Sequence, residues 1–97
     1  EGFPQKRAAW VIADQIIRCS TSIGANIVEA KASSSRLEYK KFYEIALKSS
    51  NETLYWLEMI KELDYGERSA FERINSEAKE INRMVASGVI KLKSKKF

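Results

Sequence analysis

Apolar and small residues return at alternating spacings of three and four along most of this chain. Ile12, Ile16, Cys19, Ile23, Asn26 and Ala30 form one such series. Tyr39, Tyr43, Ala46, Ser50, Thr53, Leu57 and Ile60 form a second, widened by Phe42, Leu47, Leu54 and Trp56. Phe71, Ile74, Ala78, Ile81, Val85, Gly88 and Leu92 form a third. Seven residues make two turns of an α-helix, so each series lies along one side of a helix and requires a partner there. No stretch shows sustained alternation with period two. The pattern permits long helices packed side by side and little else.

Two short breaks separate the series. In "ASSSRLEYKK" three serines interrupt the first pattern, and Ser35 with Glu38 forms a capping box. The serine hydroxyl takes the Glu38 N–H, and the carboxylate reaches back. The second helix starts there and ends near Leu63, which gives roughly 28 residues and a length of about 42 Å. "DYGERS" supplies Asp64 and Gly66 as turn residues. The first helix is expected from about Lys6 to about Lys31, with Pro4 suited to a first helical turn. The third fades into "KLKSKKF". Short connections make consecutive helices antiparallel neighbours. The chain of 97 residues therefore reads as one all-α domain, an antiparallel up-down helical bundle with three long helices and a basic tail at 91–97. Cys19, Ala30, Ala46, Ser49, Ser50, Ala78 and Gly88 let helix axes approach closely. Trp10, Tyr39, Phe42, Tyr43 and Trp56 are candidates for the core or an interface.

The chain has no histidine and one cysteine, Cys19. It therefore lacks the commonest general base and metal ligand, and it cannot form an intrachain disulfide. The Glu-x-x-His ligands of di-iron bundles and any Ser–His or Cys–His pair are excluded as well. No nucleophile–base pair or metal constellation remains, so no enzyme and no cofactor are expected. No apolar run approaches the length of a membrane span, and a cytoplasmic location is the default. Seventeen basic against 13 acidic residues give a net charge of +4. Four of those lysines lie in the last seven residues, so the rest of the chain is balanced. Lys91, Lys93, Lys95 and Lys96 are the candidates for nucleic-acid contact; a solvated end is the plainer reading of the same run.

The stretch "STSIGANIVEAK" carries a polar stripe beside its apolar one. Ser22, Asn26 and Glu29 share a helical face with Ile23 and Ile27. One reading is a buried polar cluster that fixes register, with Glu29 paired to Arg18 or to a lysine of a neighbouring helix. The other is a face that binds a ligand or partner.

These residues also carry a resemblance. "DQIIRCSTSIGANIVEA", with Gln15, Arg18, Ser22, Ile23, Asn26, Ile27 and Glu29, resembles the signature of small four-helix-bundle proteins first known from reading frames inside intervening sequences of bacterial 23S rRNA genes. "EYKKFYEIALKSSNET" matches the family's second motif at Tyr39, Phe42, Ile45, Ala46, Ser49 and Glu52. Phe3-Pro4 fits its lead-in. Gly24 and Ala30 depart from the family's usual Pro and Gly. The resemblance implies an antiparallel four-helix bundle that assembles into rings similar to homopentamers. It also implies a further helix before Phe3-Pro4, so the family's first helix is expected to be missing here. That would leave an apolar groove that must be covered or will associate. A fold-related bundle, the accessory variability determinant of retroelements, serves reverse transcriptase and binds nucleic acid.

The expected function is accordingly a non-enzymatic, oligomeric helical module that contacts RNA or a nucleoprotein partner. A purely structural assembly module with no nucleic-acid role is the alternative.

Overall fold

The computed structural model describes residues 2–64 and 66–94, with side chains over 7–64 and 66–93. It is all-helical: α1 spans Gly2–Ala32, α2 Arg36–Leu63 and α3 Arg68–Ser94. No strand occurs among the described residues. None of these helices is long and apolar enough to cross a membrane. α1 begins earlier than expected. Pro4 falls in its first turn, where a missing N–H breaks no intrahelical bond.

The breaks lie where turn chemistry placed them. Ser35 caps α2 with an extended backbone (φ −142°, ψ 158°), and its hydroxyl accepts from the Glu38 N–H at 3.1 Å. Glu38 reaches back one residue further than a standard capping box: its carboxylate accepts from the Ser34 N–H at 3.2 Å. At the end of α1 both the hydroxyl and the N–H of Ser33 donate to the Ala30 carbonyl, which would otherwise lack a partner. Asp64 ends α2 in the left-handed region (φ 58°), and its N–H bonds the Ile60 and Lys61 carbonyls. Gly66 follows at φ 77°, a conformation that glycine adopts without steric cost.

α2 is the centre of the molecule. α1 packs on one side of it and α3 on the other, and no Cα pair within 8 Å joins α1 to α3 among the described residues. The three helices form an open layer of 56 × 20 × 15 Å. Cross-helix partners run in opposite order along each pair. Arg18 meets Glu52 and Ser22 meets Ser49 between α1 and α2. Gly88 meets Tyr43 and Asn82 meets Ser50 between α2 and α3.

The first two heptad series pack as their spacing predicts. Ile12, Cys19, Ile23 and Ala30 are buried on α1, and Ala46, Ser50, Thr53 and Leu57 on α2. The third needs a correction. Val85 is buried, but so is Val89, while Ile74 and Ile81 are 49% and 44% exposed. Asn82 donates to the Ser50 hydroxyl at 2.9 Å and to the Asn51 side-chain oxygen at 2.8 Å. The seam with α2 thus uses Asn82 and Val89, each one residue beyond the expected Ile81 and Gly88. A rotation of one residue, about 100°, turns Ile74 and Ile81 to the open side of the layer. Gly88 stays at the edge of the contact. A Cβ there would lie 2.7 Å from the Tyr43 ring, closer than any real methyl approaches carbon. Of the two places expected for Trp10, core or interface, its 71% exposure rules out the core of this chain.

Candidate functional site

The residues singled out on α1 sit along the edge of the α1–α2 seam, in two groups. In the first, Arg18 donates through Nε and Nη2 to the Gln15 side-chain oxygen at 3.1 and 2.8 Å. It also pairs across the seam with Glu52, which accepts a 3.4 Å bond from the Trp56 indole N–H. The three-residue step from Gln15 to Arg18 and the four-residue step from Glu52 to Trp56 put each pair on one helix face. In the second group, the hydroxyls of Ser22 and Ser49 bond across the seam at 2.8 Å. The Asn26 amide donates to the Ser22 carbonyl at 2.8 Å and to its hydroxyl at 3.0 Å. Below them, the Thr53 hydroxyl donates to the Ser49 carbonyl at 2.9 Å and lies 3.2 Å from the buried sulfur of Cys19.

Glu29 is exposed and takes no part in either group. The carboxylate partner of Arg18 is Glu52, not Glu29. Asn26 bonds its own helix, and Ser22 makes the step across to α2. No buried side-chain oxygen or nitrogen is left without a partner among the described residues. The buried polar atoms of the stripe are therefore paired within the chain, while Arg18 and Glu52 keep part of their side chains in solvent.

The open side of the layer is different in kind. Ile16 and Ile23 of α1, Leu57 of α2, and Ile74 and Ile81 of α3 line a groove of about 390 Å³. Ser20, Gly24, Ser50 and Thr53 make its small floor and wall, and Glu77 is its one charged residue. Nothing lies within 4 Å of where a Gly24 Cβ would be. The groove runs along the helices because α1 and α3 do not meet.

Of the tail, Lys91 and Lys93 lie exposed in the last turn of α3, and Lys93 reaches Glu44 at 3.7 Å. Lys95 and Lys96 lie outside the described residues, as does Phe97. Of the Phe3-Pro4 lead-in only the helical backbone is described. Among the described residues no group of three or more His, Cys, Asp and Glu is placed to hold a metal ion.

Sequence reasoning missed two features. The Asn82–Ser50–Asn51 cluster was legible in principle, since Asn75 and Asn82 are seven apart and in phase with Val89. The tyrosine pair at the other end was harder to see. Tyr39 and Tyr43 stack with ring centroids 5.3 Å apart and planes 12° from parallel. Burial, and then the neighbouring Tyr39, pushes the Tyr43 hydroxyl above the usual tyrosine pKa.

A family model described as 23S rRNA-intervening sequence protein matches residues 1–87. The chain is also similar to a solved structure from Bacteroides thetaiotaomicron, a protein with unknown function from the S23 ribosomal protein family. The two share 44% identity with a TM-score of 0.76, over 81% of this chain and 73% of that one. No curated protein matches. With the match covering nearly all of an all-helical chain, this protein belongs to the family of 23S rRNA-intervening sequence proteins.

Proposed function

We propose that this chain is a non-enzymatic assembly module that forms a homo-oligomer by packing apolar helix faces, and that the assembly meets RNA or a nucleoprotein partner. The open groove carries this reading. Ile74 and Ile81 reach into it from α3 while staying nearly half exposed. Trp10, Ile17 and Val28 extend the exposed apolar surface along α1. An apolar groove flanked by exposed large side chains suits an interaction site. A ring of five, the form that the family resemblance suggests, would bring five lysine-rich ends together, and affinity for phosphate rises steeply with each counterion released.

The alternative, an assembly module with no nucleic-acid role, has its own supporting observation. Glu44 holds Lys93 at 3.7 Å, so one tail cation already has an intramolecular partner.

Light scattering at micromolar concentration tests assembly. A species of several times 11.1 kDa is expected, and Ile81→Glu should shift it toward monomer by placing a charge in the groove. An 11.1 kDa species alone would sink the proposal. Filter binding of a generic RNA at several salt concentrations separates the two readings. Affinity that falls as salt rises supports nucleic-acid contact, and no binding at low salt leaves the structural module.

A further inference from the structure

On the face of α3 away from the groove, Lys79 and Arg83 line a cleft with Lys61 from the last turn of α2. Phe71, Glu72, Asn75 and Ser76 complete its wall, and its volume is about 310 Å³. Spacings of three and four put Glu72, Asn75, Ser76, Lys79 and Arg83 on one side of α3. We propose that this cleft binds a nucleotide unit through its phosphate, with Lys61, Lys79 and Arg83 as the phosphate ligands.

Three observations lead there. First, the charge is uncompensated. Glu72 is the one carboxylate in the wall, and Arg68 lies 3.5 Å from it on the same helix. Glu58 stands one turn before Lys61 and Glu80 three residues before Arg83. Yet no ion pair joins any carboxylate to Lys61, Lys79 or Arg83 among the described residues. Second, helix stability does not explain the two α3 cations. Lys61 sits at a helix C-terminus, where a cation complements the dipole. Lys79 and Arg83 lie in the middle of α3, and like charges four apart destabilise a helix. An anion between them reverses that sign. Third, the cleft is larger than a phosphate needs. The Phe71 ring offers an apolar surface and Asn75 a paired donor and acceptor, which suit a base beside its phosphate. Arg83 can hold phosphate oxygens with two parallel N–H groups, and the lysines act as point charges.

A free mononucleotide and one unit of a single-stranded RNA share this chemistry. The RNA form rests on the nucleic-acid reading above and moves the main contact from the tail to the flank of the layer. The test uses fluorescence anisotropy with a labelled mononucleotide and a labelled single-stranded RNA of mixed sequence, at low and at physiological salt. The probes meet the intact chain, a Lys79→Glu/Arg83→Glu variant and a variant with all four tail lysines changed to Gln. The charge reversal should weaken binding at least about tenfold at low salt, more than the tail variant does. Circular dichroism and light scattering confirm that fold and assembly persist, and Lys61→Gln, a single exposed change, should weaken binding in the same direction. Binding of both probes, or of the mononucleotide alone, identifies the source of the phosphate. If the charge reversal binds as tightly as the intact chain while the tail variant fails, the cleft is wrong and the RNA reading survives. If neither probe binds the intact chain at low salt, both are wrong.

Discussion

The two seams that hold α2 are built on different principles. Against α1, α2 presents Ala46, Ser49 and Thr53 to Cys19, Ser22, Ile23 and Ala30. Small side chains bring the backbones together, and hydroxyls bond across or back to their own carbonyls. Against α3 the contact is made of larger pieces: Val85 and Val89, the Asn82 amide over Ser50 and Asn51, and the Tyr43 ring over Gly88. The first seam depends on the absence of side-chain volume. The second depends on particular shapes and one amide. Overpacking should damage the first, and loss of a specific partner the second.

The largest effect is expected at a buried α2 residue that also lines the groove. Leu57 is 4% exposed and lines the groove between α1 and α3. Leu57→Ala should cost about 2–5 kcal/mol, read as a lower urea midpoint. A loss below about 1 kcal/mol would mean that the site collapses onto the open groove. Cys19→Leu tests the small-residue seam directly. Cys19 is fully buried, and the added volume should cost about 1–3 kcal/mol by forcing α1 from α2. A neutral result would show that the layer separates without strain and that close approach is incidental.

Smaller losses are expected in the second seam. Asn82→Ala should cost about 1 kcal/mol, because the Ser50 hydroxyl loses its cross-helix donor while keeping carbonyls of its own helix within reach. Thermal melts that match the intact chain would place the amide among surface contacts. Glycine offers an internal control. Gly24 and Gly88 both lie in helices, where alanine is favoured by up to about 1 kcal/mol. Gly24→Ala meets open space and should raise the melting temperature. Gly88→Ala meets Tyr43 at 2.7 Å and should forfeit that gain or reverse it. Equal shifts for the two would show that the tyrosine ring swings away freely.

The smallest effect is one of pH. Tyr43 keeps its proton to higher pH in the fold than in the unfolded chain, chiefly through burial and then through Tyr39. The fold therefore binds more protons than the unfolded chain above pH about 10, and stability falls as pH rises through that range. Below it the contribution is fully present. Tyr43→Phe should flatten this alkaline slope in urea titrations. An unchanged slope would assign the loss to other groups.

The helix ends were legible because local chemistry sets them. Ser35 and Glu38 start α2, and Asp64 with Gly66 ends it, through bonds made within a few residues. The first two faces were legible for a related reason. In each, buried residues follow the one series read from the sequence, Ile12, Cys19, Ile23 and Ala30 on α1 and Ala46, Ser50, Thr53 and Leu57 on α2. Among the site residues, the sequence placed Ser22 and Asn26 correctly on one face, and it made Glu29 their companion only by spacing. Three residues along a helix is near, but a seam has an edge, and Glu29 lies beyond it.

The rotation of α3 was decided by tertiary structure alone. Phe71, Ala78, Val85 and Leu92 belong equally to a series completed by Ile74, Ile81 and Gly88 and to one completed by Asn75, Asn82 and Val89. Hydrophobicity favours the first. In the fold, α2 presents Ser50 and Asn51 at that level, and Asn82 satisfies both. Ile74 and Ile81 gain a second apolar surface in the groove instead. A helix with one apolar face declares its orientation in the sequence. A helix with two does not, because only its neighbours determine which face each of them takes.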